Sequence, residues 1–418
     1  MRKLIQGAAA LLMGASPVYA ADLPVAPEPV EYVQICDAYG RGYFFIPGTD
    51  TCLRIRGRVR AEYRFRNFGS EPNGWTDRDL NGTETRGRAY LRMDARTQTE
   101  YGLLRAYIDV YWTSDTQPAG SILSSAVGTT LDGAFIQFGG LTVGRTQSFF
   151  DFWTGYAYGS INTVAYSDRK TWVAGYTADF GNGFSSSLAI EDRSFRNENL
   201  FAGTYLNSTG FAQGYGGTRW PSLVLNFRVD QGWGSAQIMG AISEVRYLDS
   251  LGSGDVGWAI GAGVEVNLGW LGDSQFALQG DYGQGAIDYV NSSWDQRAIA
   301  IGTTNFRIPT DASTTTGTVK RGDGMTEAWS IEGGIYTEWT PEWNTAFQAS
   351  YAQADFDRLP DIDQFDVIGK IGWTPVDGFE IGTEIEYRYI DYTDIKTRDT
   401  RLTERDEVIV VIRAQRDF

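Results

Sequence analysis

The 418-residue chain carries 36 Lys and Arg against 52 Asp and Glu, with no His and a formal charge of −16. So acidic a chain does not suit nucleic-acid binding, and the lack of His removes the usual general base from Ser-His or Asp-His catalysis. Fifty Gly and 14% aromatic residues suit many short strands with tight turns and exclude a helical enzyme; no cofactor or metal site is expected.

Arg2 and Lys3 precede an apolar run from Leu4 to Met13, and Val18-Tyr19-Ala20 offers a small-residue cleavage site after Pro17. This is the layout of a secretory signal peptide over residues 1–20, with an apolar run too short to span a bilayer. Its loss takes the charge to about −18 by removing two cations. No later segment approaches twenty consecutive apolar residues, so export leaves the periplasm, the extracellular space or an outer-membrane barrel. Residues 21–52 read as a leader, Pro-rich and extended at first and then holding Cys36 and Cys52. Two cysteines in an exported chain read as one disulfide closing a small loop, a reactive thiol being the alternative.

Residues 53–418 read as strands throughout. From Leu53 to Arg66, Leu53, Ile55, Gly57, Val59, Ala61, Tyr63 and Phe65 share one parity, and Arg54, Arg56, Arg58, Arg60, Glu62, Arg64 and Arg66 the other. Side chains alternate across a strand, so one face meets an apolar medium and the other, too costly to bury in a dry core, meets water. A soluble sheet with one solvated face would explain this segment alone almost as well. Thr85 to Thr99 repeats the pattern, with Arg86, Arg88, Tyr90, Arg92, Asp94 and Arg96 opposite Gly87, Ala89, Leu91, Met93 and Ala95. Alternation continues through Leu104–Trp112, Trp172–Phe180, Leu223–Val229, Trp258–Leu268, Trp329–Trp339, Trp343–Tyr351, Phe365–Trp373 and Phe379–Tyr389. It ends with Val408, Val410, Ile412, Ala414 and Phe418.

Aromatics stand at both ends of the apolar faces, as Trp329 with Trp339 and Trp343 with Tyr351, the girdle pattern of a membrane barrel. Short turns, such as Gly139-Gly140, Gly181-Asn182 and Pro341-Glu342, alternate with long polar connections, such as 67–84, 147–170, 193–220 and 291–325. The expected fold is therefore all-β: a transmembrane antiparallel β-barrel of about sixteen strands, with short periplasmic turns and long external loops.

The segment VEYVQICDAYGRGYFFIPGTDTCLRIRGRVRAEYRF, the run AFIQFGGLTVGRTQSFFDF and the terminal Phe418 resemble the porin family of alphaproteobacteria over nearly the whole mature chain. The resemblance implies a homotrimer of sixteen-stranded barrels in the outer membrane, each a water-filled pore for passive diffusion of small hydrophilic solutes and ions. It also implies that the third long loop, about residues 147–170, folds into the lumen as a constriction. That loop holds only Asp151 and Asp168 as acids, and is rich in aromatics that include Phe150, Trp153 and Tyr156.

The sequence therefore points to a non-enzymatic diffusion channel. Its candidate basic wall is Arg54, Arg56, Arg58, Arg60, Arg86, Arg88, Arg92 and Arg96, facing an acidic wall of Glu332, Glu338, Glu380, Glu384 and Glu386. With acids balancing arginines, weak cation preference is expected. A sugar-specific channel with the loop aromatics as a stacking track is the alternative of the same fold. Phe418 is the candidate assembly signal read by the barrel-assembly machinery. Small outward residues, Gly57, Ala61, Gly87, Ala89, Ala95 and Ala414, mark a candidate trimer face. Membrane lipid and lipopolysaccharide complete the expected partners.

Overall fold

In the computed structural model residues 34–418 are described, apart from 70–74, 77, 79–80, 117–124, 205–208, 212–214, 250–253, 296–297, 302–303, 308, 315–323, 358 and 394–403. The signal-peptide reading of residues 1–20 lies outside the described residues. Sixteen strands form the barrel wall: β1 Cys52–Phe65, β2 Thr83–Thr99, β3 Gly102–Thr116, β4 Ser125–Phe138, β5 Leu141–Gln147, β6 Lys170–Gly181, β7 Phe184–Glu191 and β8 Ser222–Gln231. They continue as β9 Gly234–Val245, β10 Asp255–Asn267, β11 Asp273–Gln284, β12 Glu327–Thr340, β13 Trp343–Asp355, β14 Asp361–Val376, β15 Phe379–Thr393 and β16 Arg405–Asp417.

Each strand pairs antiparallel with its neighbours in sequence, and β16 closes onto β1 from Arg58↔Asp417 to Phe65↔Val410. Closure satisfies the backbone of every strand, which is what lets a sheet stand in hydrocarbon. The burial pattern is that of a soluble protein turned inside out. Outward Ile238, Ile260, Ile331 and Ile385 are each at least half exposed, while inward Gln279, Gln348 and Glu384 are buried.

Tyr282, Trp329 and Tyr351 lie side by side near one rim, and Trp343 stacks on Trp373 near the other. The ten residue steps from Trp329 to Trp339, at about 3.4 Å each and a tilt of about 40°, span about 25 Å, the height of an outer-membrane apolar band.

Two long external connections are more structured than their polar sequences indicate. The 3₁₀ turn Ile287–Tyr289 is buried, and a short strand Asn199–Thr204 pairs in parallel with Thr310–Thr314, joining the fourth and sixth loops. Asp311, fully buried between them, accepts from the backbone N–H of Glu198 and of Ile287 (both 3.1 Å) and from the Tyr215 hydroxyl (2.5 Å). Burial pushes its carboxyl up to about 7, against the pull of Arg193.

The seam between first and last strands depends on a glycine. Gly57 exchanges two backbone hydrogen bonds with Phe418 (2.7 and 3.0 Å), and the Phe418 ring lies across its Cα on the outer surface. A Cβ at position 57 would collide with that ring. Gly57→Leu is therefore expected to displace the terminal ring and lower the folded fraction seen as heat-modifiable mobility on a gel. Wild-type mobility at normal yield would show that the ring's seat is dispensable.

Candidate functional site

The third loop, residues 148–169 between β5 and β6, runs around the inner wall and is held there by one polar side chain after another. On β7, Glu191 accepts from the Ser148 hydroxyl (2.7 Å) and the Phe149 N–H (2.8 Å). Asn226 of β8 and Gln237 of β9 donate to the carbonyls of Phe149 (2.6 Å) and Phe150 (3.2 Å). Gln279 of β11 accepts from the Trp153 N–H (3.1 Å), and Gln348 of β13 from those of Tyr156 (2.8 Å) and Ala157 (3.0 Å).

On β15 two carboxylates collect five consecutive backbone N–H groups. Those of Tyr158 and Gly159 point to Glu384, those of Ile161 and Asn162 to Glu386, and that of Ser160 is shared at 3.2 and 3.0 Å. The Ser160 hydroxyl then reaches Glu62 of β1 (3.0 Å), a buried carboxylate also bound by Arg64 and Arg413. A loop lying in a membrane lumen must satisfy its backbone, and this tier of side chains does so.

Inward glycines make room for the loop's rings. Phe152 sits against Gly263, and a Cβ on Gly334 would come within 2.9 Å of Trp153. Trp153 is thereby buried against the wall, and Phe150 is buried among Val224, Met239, Ala241 and Tyr289, so neither has a free face on which a sugar could stack. Tyr156 and Tyr158 are half-buried, with hydroxyls on Glu265 (2.6 Å) and Glu380 (2.5 Å).

The two loop acids also look away from open water. Asp151 is bound by Arg196 (2.5 Å), the Ser167 hydroxyl (2.5 Å) and the Arg169 N–H (2.8 Å). Burial and the neighbouring Asp151 charge push the Asp168 carboxyl above its ordinary value. Burial opposes the Arg196 charge, but Asp151 and Asp288 outweigh it and hold its pKa above the ordinary one.

Of the five glutamates read as an acidic wall, Glu384 and Glu386 are buried beneath the loop with their oxygens on its backbone, and Glu332 is buried on β12. Glu380 is tied to Lys370 (3.3 Å) and Tyr158, and Glu338 is exposed at the periplasmic rim. These carboxylates do not form an open face opposite the arginines, because the loop occupies the space between. That outcome removes the premise of the cation preference expected from the sequence.

The arginines share one inner face. Register places them in rows: Arg54, Asp94, Tyr107 and Phe135; then Arg56, Arg92 and Asp109; then Arg58, Tyr90 and Tyr111; then Arg60, Arg88 and Thr113; then Glu62, Arg86 and Asp115. Several are neutralised. Arg58 meets Asp417 (2.5 Å), Arg86 meets Asp115 (2.7 Å), Arg92 meets Asp109 (2.7 Å), and Arg96 and Arg105 share Asp94 (both 2.9 Å). Among the described residues no carboxylate lies in ion-pair range of Arg54, Arg56 or Arg88, and Arg60 reaches Glu62 only at 3.6 Å.

Tyrosine rings prop the guanidinium groups instead. Tyr90 has Arg92, Arg60, Arg58 and Arg88 within 5.1 to 5.9 Å of its centroid, and Arg88 lies 4.4 Å over Tyr111. Reading the sequence for charge alone passed over these rings and the amide anchors. Their signal was one Asn, Gln or Glu at mid-height on the inward parity of most strands facing the loop.

A closed sixteen-stranded barrel, polar within and apolar without, with a loop folded against its inner wall, is a channel architecture. A family model described as a porin subfamily matches residues 22–411. The chain belongs to the porin family. It is 31% identical over 404 residues to porin Omp2b of Brucella suis, covering 93% of this chain and 92% of that one. It is also 35% identical over 302 residues to porin Omp2b of Brucella neotomae, covering 70% and 76%.

Among solved structures, the outer membrane channel DcaP of Acinetobacter baumannii superposes with a TM-score of 0.63 at 14% identity, over 90% of this chain and 99% of that one. OmpF of Salmonella typhi in complex with daunomycin gives 0.50 at 9% identity, over 88% and 98%. These porin-like folds share the architecture alone. The porin is thus an outer-membrane, multi-pass β-barrel channel for passive diffusion, not an enzyme. Solutes cross such a channel driven by their own gradient.

Proposed function

We propose that this porin is a general-diffusion channel whose narrowest passage lies between the free face of the third loop and the arginines of β1–β3. The basic wall comprises Arg54, Arg56, Arg58, Arg60, Arg86, Arg88, Arg92 and Arg96, of which Arg56, Arg60 and Arg88 carry the field felt by a passing ion. The observation that carries this reading is the asymmetry of the lumen: on one side Arg56 and Arg88 have no carboxylate in ion-pair range among the described residues and Arg60 has Glu62 only at 3.6 Å, while on the other Glu384 and Glu386 are taken up by the loop backbone. Such a passage sieves by size and favours anions, while the acidic rims and loops temper the preference.

The working unit is a homotrimer, held through Ala61, Gly87, Ala89, Ala95 and Ala414 on the outer face of β1, β2 and β16, with Gly57 covered by the Phe418 ring. Small side chains there allow barrel walls to approach closely, and aromatics on this face are few, with Tyr63 and Phe65 at one end and Phe418 at the other. Export by the segment 1–20, insertion by the barrel-assembly machinery reading Phe418, and outer-leaflet contact with lipopolysaccharide belong to the same reading. Ala89→Trp is expected to leave the barrel folded but lower the temperature at which the trimer dissociates on a semi-native gel. Unchanged dissociation would move the interface elsewhere.

A further inference from the structure

The disulfide-closed segment at the start of the barrel lies on the lumen side of the wall. The chain end at Phe418 leaves β1 unpaired by β16 below Gly57, and a two-residue strand, Phe44–Phe45, takes up that edge opposite Leu53 and Cys52. Cys52 has the inward parity, opposite Arg96, and its bond to Cys36 (Cα separation 6.0 Å) draws the segment to the inner face. The chain then turns through Gly40 and Gly42, both at positive φ, and the N–H of Cys36 donates to the Tyr43 carbonyl (2.9 Å).

This fold presents Tyr43 to Arg54 and Arg96, with the Tyr39 ring also 5.7 Å from the Arg96 guanidinium carbon. Tyr43 is buried, and its hydroxyl donates to Asp94 (2.8 Å), the carboxylate shared by Arg96 and Arg105. Its ring lies 4.6 Å from the Arg54 guanidinium carbon and 5.2 Å from that of Arg96, with Tyr39 edge-on beside it. Gly42 rests against the Arg54 stem, where an added Cβ would meet Arg54 Cδ at 3.4 Å. Among the described residues Arg54 has no carboxylate in ion-pair range, so the ring and the segment's backbone determine where its charge sits.

We propose that the Cys36–Cys52 segment is a second selectivity element at the periplasmic mouth, in which Tyr43 is a positioning residue that holds Arg54 and Arg96 flat against the wall. With Tyr43 in place the two guanidinium groups keep their charge but do not reach into the water path. The segment also brings exposed Asp37 and Asp50 to that mouth against Arg41 alone. Both effects lower the attraction of the periplasmic mouth for anions.

The full chain, reconstituted in a planar bilayer with a potassium chloride gradient, tests this through zero-current potential and single-channel conductance. Tyr43→Ala is expected to raise the anion-to-cation permeability ratio about twofold, the effect of one unit charge at about 8 Å in water. Conductance should rise with it while barrel melting stays unchanged. Cys36→Ser with Cys52→Ser, which frees the segment and keeps the ring, should shift the potential the same way. Tyr43→Phe, which keeps the ring and loses only the bond to Asp94, should retain wild-type selectivity.

A rise in conductance without a shift in potential would make the segment a simple obstruction and overturn the proposal. So would a Tyr43→Phe shift as large as that of Tyr43→Ala, which would assign the effect to the Asp94 bond. Should Tyr43→Ala fail to assemble, the paired serine variant decides: a wild-type potential in it overturns the proposal.

Discussion

Replacing Glu384 and Glu386 together by Ala is expected to widen the passage and raise single-channel conductance severalfold, with larger sugars admitted in liposome swelling. Five backbone N–H groups, from Tyr158 to Asn162, lose charged acceptors in that variant. Hydrogen bonds to charged groups contribute about 1.5–3 kcal/mol each, so the loss exceeds what the remaining loop contacts at Gln348 and Ser350 can offset locally. Glu384→Gln with Glu386→Gln, which keeps oxygen acceptors without charge, should give a smaller change in the same direction. Conductance and size limit both at wild-type values in the Ala pair would mean that the loop holds its place without these carboxylates.

The second large effect is on ion preference. Arg56→Ser with Arg88→Ser removes two lumen charges that no carboxylate among the described residues pairs with. At about 8 Å in water each charge is worth about 0.5 kcal/mol to a passing ion, close to a twofold change in occupancy apiece. The zero-current potential should therefore move toward cations, and the shift should shrink in molar salt as screening grows. The ion-paired Arg86 and Arg92 serve as the comparison, because their removal frees Asp115 and Asp109 as well. A double Ser variant with the wild-type potential would place the passage away from this wall.

The barrel was legible in the sequence because parity is a local property. Ile55 beside Arg56, or Ile331 beside Glu332, states which side faces lipid whatever the rest of the chain does. The short and long connections likewise declared the two rims. What the inward polar residues do was less legible, since parity gives a side and not a partner. Glu384 and Glu386 share their parity with any pore-lining acid, and only the path of a loop more than 200 residues upstream turns them into backbone acceptors.

The loop aromatics misled for a related reason. Phe150 and Trp153 look like a solute track until residues on distant strands are seen to receive them, Val224 and Met239 for Phe150 and Gly334 for Trp153. The fourth and sixth loops hid their short strands because three to six residues are too few for alternation to stand out.

The central claim, that β1 divides water from lipid between adjacent residues, is most directly tested by current block at single thiols. Both native cysteines are joined in the disulfide, so Arg56→Cys and Ile55→Cys each introduce one free thiol. A bulky, water-soluble thiosulfonate reagent is then added to open channels in a planar bilayer. Arg56→Cys should lose more than about half its single-channel current, because the adduct stands in the lumen. Ile55→Cys should be unaffected, because its side chain faces hydrocarbon. Equal block at both positions, or block at Ile55→Cys alone, would contradict the account.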